Sequence, residues 1–108
     1  MSLPPEISVA RLKAMRDAGD PFVLLDVRED FELRLAHLPG AMHVPMGSVP
    51  ERLAEIPRDA DVVVMCHGGV RSDRVAGYLR ANGYASVANL AGGIDSWSRD
   101  IDPSVPSY

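Results

Sequence analysis

Val62-Val63-Val64-Met65-Cys66-His67-Gly68-Gly69-Val70-Arg71-Ser72 is the stretch on which the reading of this chain turns. A β-branched apolar run ends in the only cysteine of the sequence. Two glycines, an arginine and a serine follow, and a helical pattern is read from Asp73 onward. That order predicts a strand, a tight loop and a helix start, with the thiol at the first loop position. Such a loop points backbone N–H groups inward and favours an anion. Glycines let the main chain approach closely because no Cβ stands in the way. Arg71 adds positive charge, so a thiolate, or a persulfide built on it, is stabilised and the free thiol value of about 8.5 should fall. The plainer alternative is a buried core cysteine acting as a small hydrophobe. Gly68-Gly69 and Arg71 directly after it argue against that.

Working outward, apolar runs alternate with helical patterns. Glu6-Ile7 is a short first strand. Ser8 is an N-cap for a helix whose Val9, Leu12 and Met15 share one face, and Gly19 closes it. Phe22-Val23-Leu24-Leu25-Asp26-Val27 reads as a strand buried on both faces, as in a parallel sheet. A short helix runs through Leu33 to Leu35, and 41–44 forms another short strand. Ser48-Val49-Pro50-Glu51 has capping-box spacing, which predicts a helix with Val49, Leu53 and Ile56 inward and Pro57 as its stop. Val75, Ala76 and Leu79 give the buried stripe of the helix after the loop, which Gly83 ends. Residues 86–90 are the last strand, Gly92-Gly93 a turn, and a short helix holds Trp97. The alternation implies βαβ units and a parallel sheet with helices on both faces. Ligands in such folds bind at the carboxyl ends of strands, where Cys66 falls.

The 108 residues predict one domain, with residues 1–5 an extended lead-in and 99–108 an extended tail. Apolar content of 46% and charged content of 24% are those of a globular protein. A net charge of −4 disfavours a nucleic-acid partner. A lone cysteine cannot form an internal disulfide, which suits a reducing compartment. Neither a membrane span nor a secretory signal is visible, so a cytoplasmic protein is expected. His37 and His43 do not combine with Cys66 in a zinc-ligand spacing, so no metal is expected. Gly92-Gly93 lacks nucleotide-loop spacing, and no cofactor is called for.

Cys66-His67-Gly68-Gly69-Val70-Arg71, followed by Ser72 and a helix, resembles the active-site loop of the rhodanese (sulfurtransferase) family. Three further motifs in order are similar to that family: Leu25-Asp26-Val27-Arg28-Glu29; His37-Leu38-Pro39-Gly40-Ala41 with Val44-Pro45; and Leu90-Ala91-Gly92-Gly93-Ile94-Asp95-Ser96-Trp97. Ala36 stands where glycine is usual, and His67 and Gly68 stand where Arg and Ser are common, which leaves the loop less basic. The resemblance implies a three-layer α/β/α fold around a mainly parallel sheet of about five strands. It implies Cys66 as nucleophile, carrying a sulfane sulfur from a donor such as thiosulfate to a thiol or cyanide acceptor through a persulfide. His67, Gly68, Gly69, Val70, Arg71 and Ser72 would bind the sulfur and donor. Asp26 and Arg28 would support the loop, Asp26 by accepting backbone hydrogen bonds and Arg28 by pairing with a carboxylate. Arg71 is expected either to bind donor oxygens or to brace the loop in a salt bridge. Phosphatases and arsenate reductases of the same fold have one more residue between cysteine and arginine, and this loop has the shorter spacing. A sulfur-carrier protein as acceptor, or a docking module, is the alternative reading.

Overall fold

The computed structural model describes residues 2–108. Five parallel strands form one sheet: β1 (Glu6–Ile7), β2 (Val23–Asp26), β3 (Met42–His43), β4 (Val62–Met65) and β5 (Val87–Leu90), in the order β1-β5-β4-β2-β3. Four helices accompany them: α1 (Val9–Ala18), α2 (Asp30–Leu35), α3 (Val70–Ala81) and α4 (Gly93–Asp100). The expected α/β architecture is therefore present.

Period-two alternation sorts β4 between two cores. Val63 and Met65 face one side with Leu12, Met15, Ile94 and Trp97 from α1 and α4. Val62, Val64 and, one step on, Cys66 face the other side with Val75, Ala76 and Leu79 of α3. β4 is thus covered on both faces, as its unbroken apolar run requires. Each such valine contributes about 1.5–3 kcal/mol by leaving water. The chain starts at β1 on one edge, crosses to β2 and β3 on the other side and returns through β4 to β5, so β4 lies between β2 and β5. The carboxyl end of this central strand is where such folds leave a crevice.

Local signals place most boundaries. The Ser8 hydroxyl accepts the Arg11 N–H at 3.1 Å, and Gly19 takes φ 69° to close α1. Two expectations need correction. No α-helix forms over 48–56; there are two 3-10 turns, Met46–Ser48 and Leu53–Glu55. Val49 and Ile56 are buried as expected, because apolar spacing of three to four fits either helix type. The segment is short and interrupted by Pro50, which lacks an N–H to continue an α-helical ladder. In addition, α3 begins at Val70, three residues before Asp73, with Gly69 at its N-cap. Arg71 and Ser72 therefore belong to the first helical turn. An extended tail is expected from residue 99, but α4 runs on to Asp100 and residues 101–105 then turn, with Val105 N–H bonded to the Asp102 carbonyl. No described helix is long and apolar enough to cross a membrane.

Candidate active site

Cys66 leaves the end of β4 with its side chain on the α3 face, and it is only 1% exposed. Donors nonetheless converge on its sulfur. The Gly69 N–H donates to Sγ at 3.0 Å, and the Ser72 hydroxyl lies 3.2 Å away. The first intrahelical bond of α3 runs from Asp73 N–H to the Gly69 carbonyl at 3.1 Å. The earlier N–H groups of the turn have no partner within the helix. Burial pushes the Cys66 thiol up, but the Ser72 hydroxyl and the backbone N–H groups of Ser72, Gly69 and Arg71 outweigh it, so the pKa falls below the ordinary value.

The loop is held in this shape from outside. Gly69 adopts φ 110° and Gly93 φ 58°, backbone that L side chains rarely take. A Cβ at Gly93 would meet the carbonyl oxygens of Cys66 and His67 at 2.4 Å. Its absence lets the start of α4 close on the loop. Ile94 N–H donates to the Cys66 carbonyl and Asp95 N–H to the His67 carbonyl, each at 3.0 Å. With their carbonyls turned outward to α4, these peptides help leave the inner side of the loop to N–H groups. Gly92-Gly93 is therefore more than the turn expected from sequence.

Arg71 donates to both oxygens of Glu32, at 2.5 and 2.9 Å. Of the two expected roles, the structure places its guanidinium in the bracing one. The Glu32 carboxylate also accepts the Glu29 N–H at 3.1 Å and the Tyr108 hydroxyl at 2.7 Å. The Arg71 guanidinium, helped by Tyr108 and the Glu29 N–H, overcomes burial and holds the Glu32 pKa down at about 2. Asp26 accepts the Arg28 N–H at 3.1 Å and the Arg28 guanidinium at 2.7 Å, so the expected carboxylate partner of Arg28 is Asp26 itself. Arg28, fully buried, also donates to the Ala36 carbonyl at 3.0 Å and to the Tyr108 oxygen at 2.8 Å. This pair stands behind the loop and does not touch the sulfur.

His67 stacks on Tyr108 with ring centroids 4.2 Å apart and planes at 16°. Its Nε2 is buried without a hydrogen-bond partner, 4.0 Å from an Asp95 oxygen. Gly68 and Val70 are the exposed parts of the loop, Val70 at 70%. A cavity of about 380 Å³ opens beside them, lined in part by Gly69, Asp73, Asn89 and Gly92. His43 Nε2 donates to the Arg28 carbonyl, 2.7 Å away, and His37 is exposed. Neither histidine reaches Cys66.

Sequence reasoning missed Glu32, Asn89 and Tyr108. Asn89 receives the Ser72 hydroxyl at 2.5 Å on Oδ1 and donates to the Gly69 carbonyl at 3.2 Å. It ties the end of β5 to both donors of the thiol. Glu29 and Glu32 carry a capping spacing that could have drawn attention to Glu32. Nothing local marks Asn89 or Tyr108.

The pattern of the rhodanese-like domain family matches residues 8–100. A protein of Allochromatium vinosum named as a sulfurtransferase is 43% identical over 83 residues, covering 77% of this chain and 78% of that protein. The crystal structure of a rhodanese-like domain protein from Staphylococcus aureus superposes with a TM-score of 0.83 at 30% identity, covering 100% of this chain and 99% of that one. The maize adenylyltransferase and sulfurtransferase MOCS3-1 is 31% identical over 109 residues, covering 94% of this chain but 23% of that larger protein. Sequence pattern and backbone agree along nearly the full length, and the chain belongs to the rhodanese-like domain family.

Proposed function

We propose that this protein is a sulfurtransferase in which Cys66 carries a sulfane sulfur from a donor such as thiosulfate to a thiophilic acceptor, a thiol or cyanide. The observation that carries the proposal is the convergence of the Gly69 N–H and the Ser72 hydroxyl on one thiol at 3.0 and 3.2 Å. A relative named as a sulfurtransferase supports the reaction class. In the first half-reaction the Cys66 thiolate attacks the outer sulfur of thiosulfate. A new sulfur–sulfur bond forms, the donor's own sulfur–sulfur bond breaks, and sulfite leaves with the electron pair. In the second, the acceptor attacks the outer sulfur of the persulfide, and the Cys66 thiolate is the leaving group. Both halves begin or end on a thiolate, so a site that stabilises it serves each of them and needs no separate base. Two half-reactions through one covalent intermediate give ping-pong kinetics.

Arg71 acts here chiefly through the loop, since Glu32 takes both ends of its guanidinium. A protein acceptor is the second reading, favoured by the likeness to the maize adenylyltransferase and sulfurtransferase. The test sets thiosulfate-to-cyanide transfer beside phosphate-ester hydrolysis for the native chain and Cys66→Ser. Sulfur transfer by the native chain alone, with parallel double-reciprocal plots and no ester hydrolysis, is expected. Transfer that survives in Cys66→Ser refutes the nucleophile. Ester hydrolysis without sulfur transfer refutes the reaction class.

A further inference from the structure

Residues 101–108 lie outside the stretch that the family pattern matches, and they do not trail from the domain. Val105 is 9% exposed and packs in the core that holds Trp97. The Ser98 hydroxyl donates to the Val105 carbonyl, and Val105 N–H bonds to the Asp102 carbonyl at 3.1 Å. Anchored there, the segment brings Tyr108 to the Cys66 loop, where the side chain makes two different contacts. Its ring lies flat on His67, the residue after the cysteine, at 4.2 Å. Its hydroxyl accepts from Arg28 at 2.8 Å and donates to Glu32 at 2.7 Å. Asp26, Arg28, Tyr108, Glu32 and Arg71 thereby form one unbroken chain of polar contacts from the end of β2 to the first turn of α3.

We propose that Tyr108 is a positioning residue for the Cys66 loop, its ring holding His67 and its hydroxyl holding Glu32 against Arg71. The inference rests on Cys66 being the reacting group. The His67 peptide is already fixed by α4 through its carbonyl, 3.0 Å from Asp95 N–H. The Tyr108 stack fixes the ring of the same residue, so the turn into Gly68 and Gly69 is held at both its main chain and its side chain. Glu32 in turn holds Arg71, which sits in the chain between Gly69 and Ser72, the two donors to the thiol. One side chain therefore bears on the donor set through both His67 and Arg71. Releasing it loosens the convergence of N–H groups on the sulfur and weakens the preference for the thiolate. The phenol is suited to this because it stays protonated across the working range. Burial and the Glu32 carboxylate push its pKa up to about 12 against the pull of Arg28, so it remains a donor to Glu32.

The test is the pH dependence of Cys66 alkylation by iodoacetamide, with kcat and KM for sulfur transfer measured alongside. Tyr108→Leu keeps apolar bulk but loses the ring face and the hydroxyl. Its thiol pKa is expected to rise by about one unit, the worth of one hydrogen bond to a charged group. Tyr108→Phe keeps the stack but releases Glu32, so its thiol pKa should rise by less than that of Tyr108→Leu. A segment that only stabilises the fold would lower the melting temperature of both variants and leave the thiol titration unmoved. A folded Tyr108→Leu chain with the native alkylation profile overturns the proposal. Should that chain fail to fold, His67→Ala removes the stack from the other side, and an unchanged profile there overturns it equally. Failure of the underlying reading looks different: the native thiol itself would titrate at or above the free value of about 8.5.

Discussion

Removing the Ser72 hydroxyl tests the charge state of the sulfur with the least disturbance to the fold. Ser72→Ala deletes one oxygen at a fully buried position and leaves every backbone N–H in place. The lost donor lies 3.2 Å from the sulfur. A hydrogen bond to a charged group is worth about 1.5–3 kcal/mol. At 1.36 kcal/mol per unit, that corresponds to a rise of roughly one to two pKa units. The low end applies here, because a hydroxyl has a single hydrogen to give. Asn89 Oδ1, at 2.5 Å, competes for it with the thiolate. We therefore expect the Cys66 pKa to rise by about one unit, with the remaining shift held by the N–H groups of Gly69, Arg71 and Ser72. The assay is the pH profile of iodoacetamide alkylation, or of thiolate ultraviolet absorbance, for both chains. Below the pKa, alkylation should slow by about tenfold at a given pH, as one unit implies. Stability falls separately, since Asn89 Oδ1 loses a buried partner at a cost of about 1–3 kcal/mol. An Ser72→Ala thiol that titrates at or below the native value would refute the reasoning, because the hydroxyl would then not be supporting the anion.

Other outcomes follow from the same contacts. Gly93→Ala forces a Cβ against the Cys66 and His67 carbonyls at 2.4 Å and into φ 58°, so unfolding free energy should fall by about 3 kcal/mol or more in denaturant titrations. A loss under about 1 kcal/mol would mean that α4 does not close on the loop this tightly. Glu32 governs acid stability. Its folded pKa of about 2 lies below the ordinary 4.5, so its contribution is complete above pH 4.5 and is lost as pH falls toward 2. The difference of about 2.5 units sets a ceiling near 3 kcal/mol, and partial exposure of Arg71 reduces it to about 2 kcal/mol. Glu32→Gln should flatten stability across that window in pH-dependent denaturation. Unchanged pH dependence would show that the Arg71 pair contributes nothing to folding.

What the sequence made legible was local. Caps, glycine stops and apolar alternation sit within a few residues of what they control, so α1, β2, β4 and β5 emerge close to their true bounds. Cys66 and the donors that follow it were readable because strand, loop and helix start are contiguous. The start of α3 was read three residues late. Val70 points to solvent and Arg71 leaves the helix stripe for Glu32, so the apolar pattern opens only at Val75. Residues 48–56 misled because one apolar face serves 3-10 turns as well as an α-helix. The support of the site was illegible for a different reason. Arg71 meets Glu32 across 39 positions, and Tyr108 meets Glu32 across 76. Such pairings are made by topology, and nothing local in the sequence says which residues will meet. Asn89 shows the same limit: in sequence it is a polar residue in a strand, and only the β4–β5 register brings it beside the loop.

The most direct measurement is the intact mass of the protein after incubation with thiosulfate, for the native chain and Cys66→Ser side by side. A gain equal to one sulfur atom on the native chain, removed by cyanide and absent from Cys66→Ser, is the predicted result. A sulfur adduct on both chains, or one that cyanide does not discharge, would contradict the assignment of Cys66 as the atom that carries the transferred sulfur.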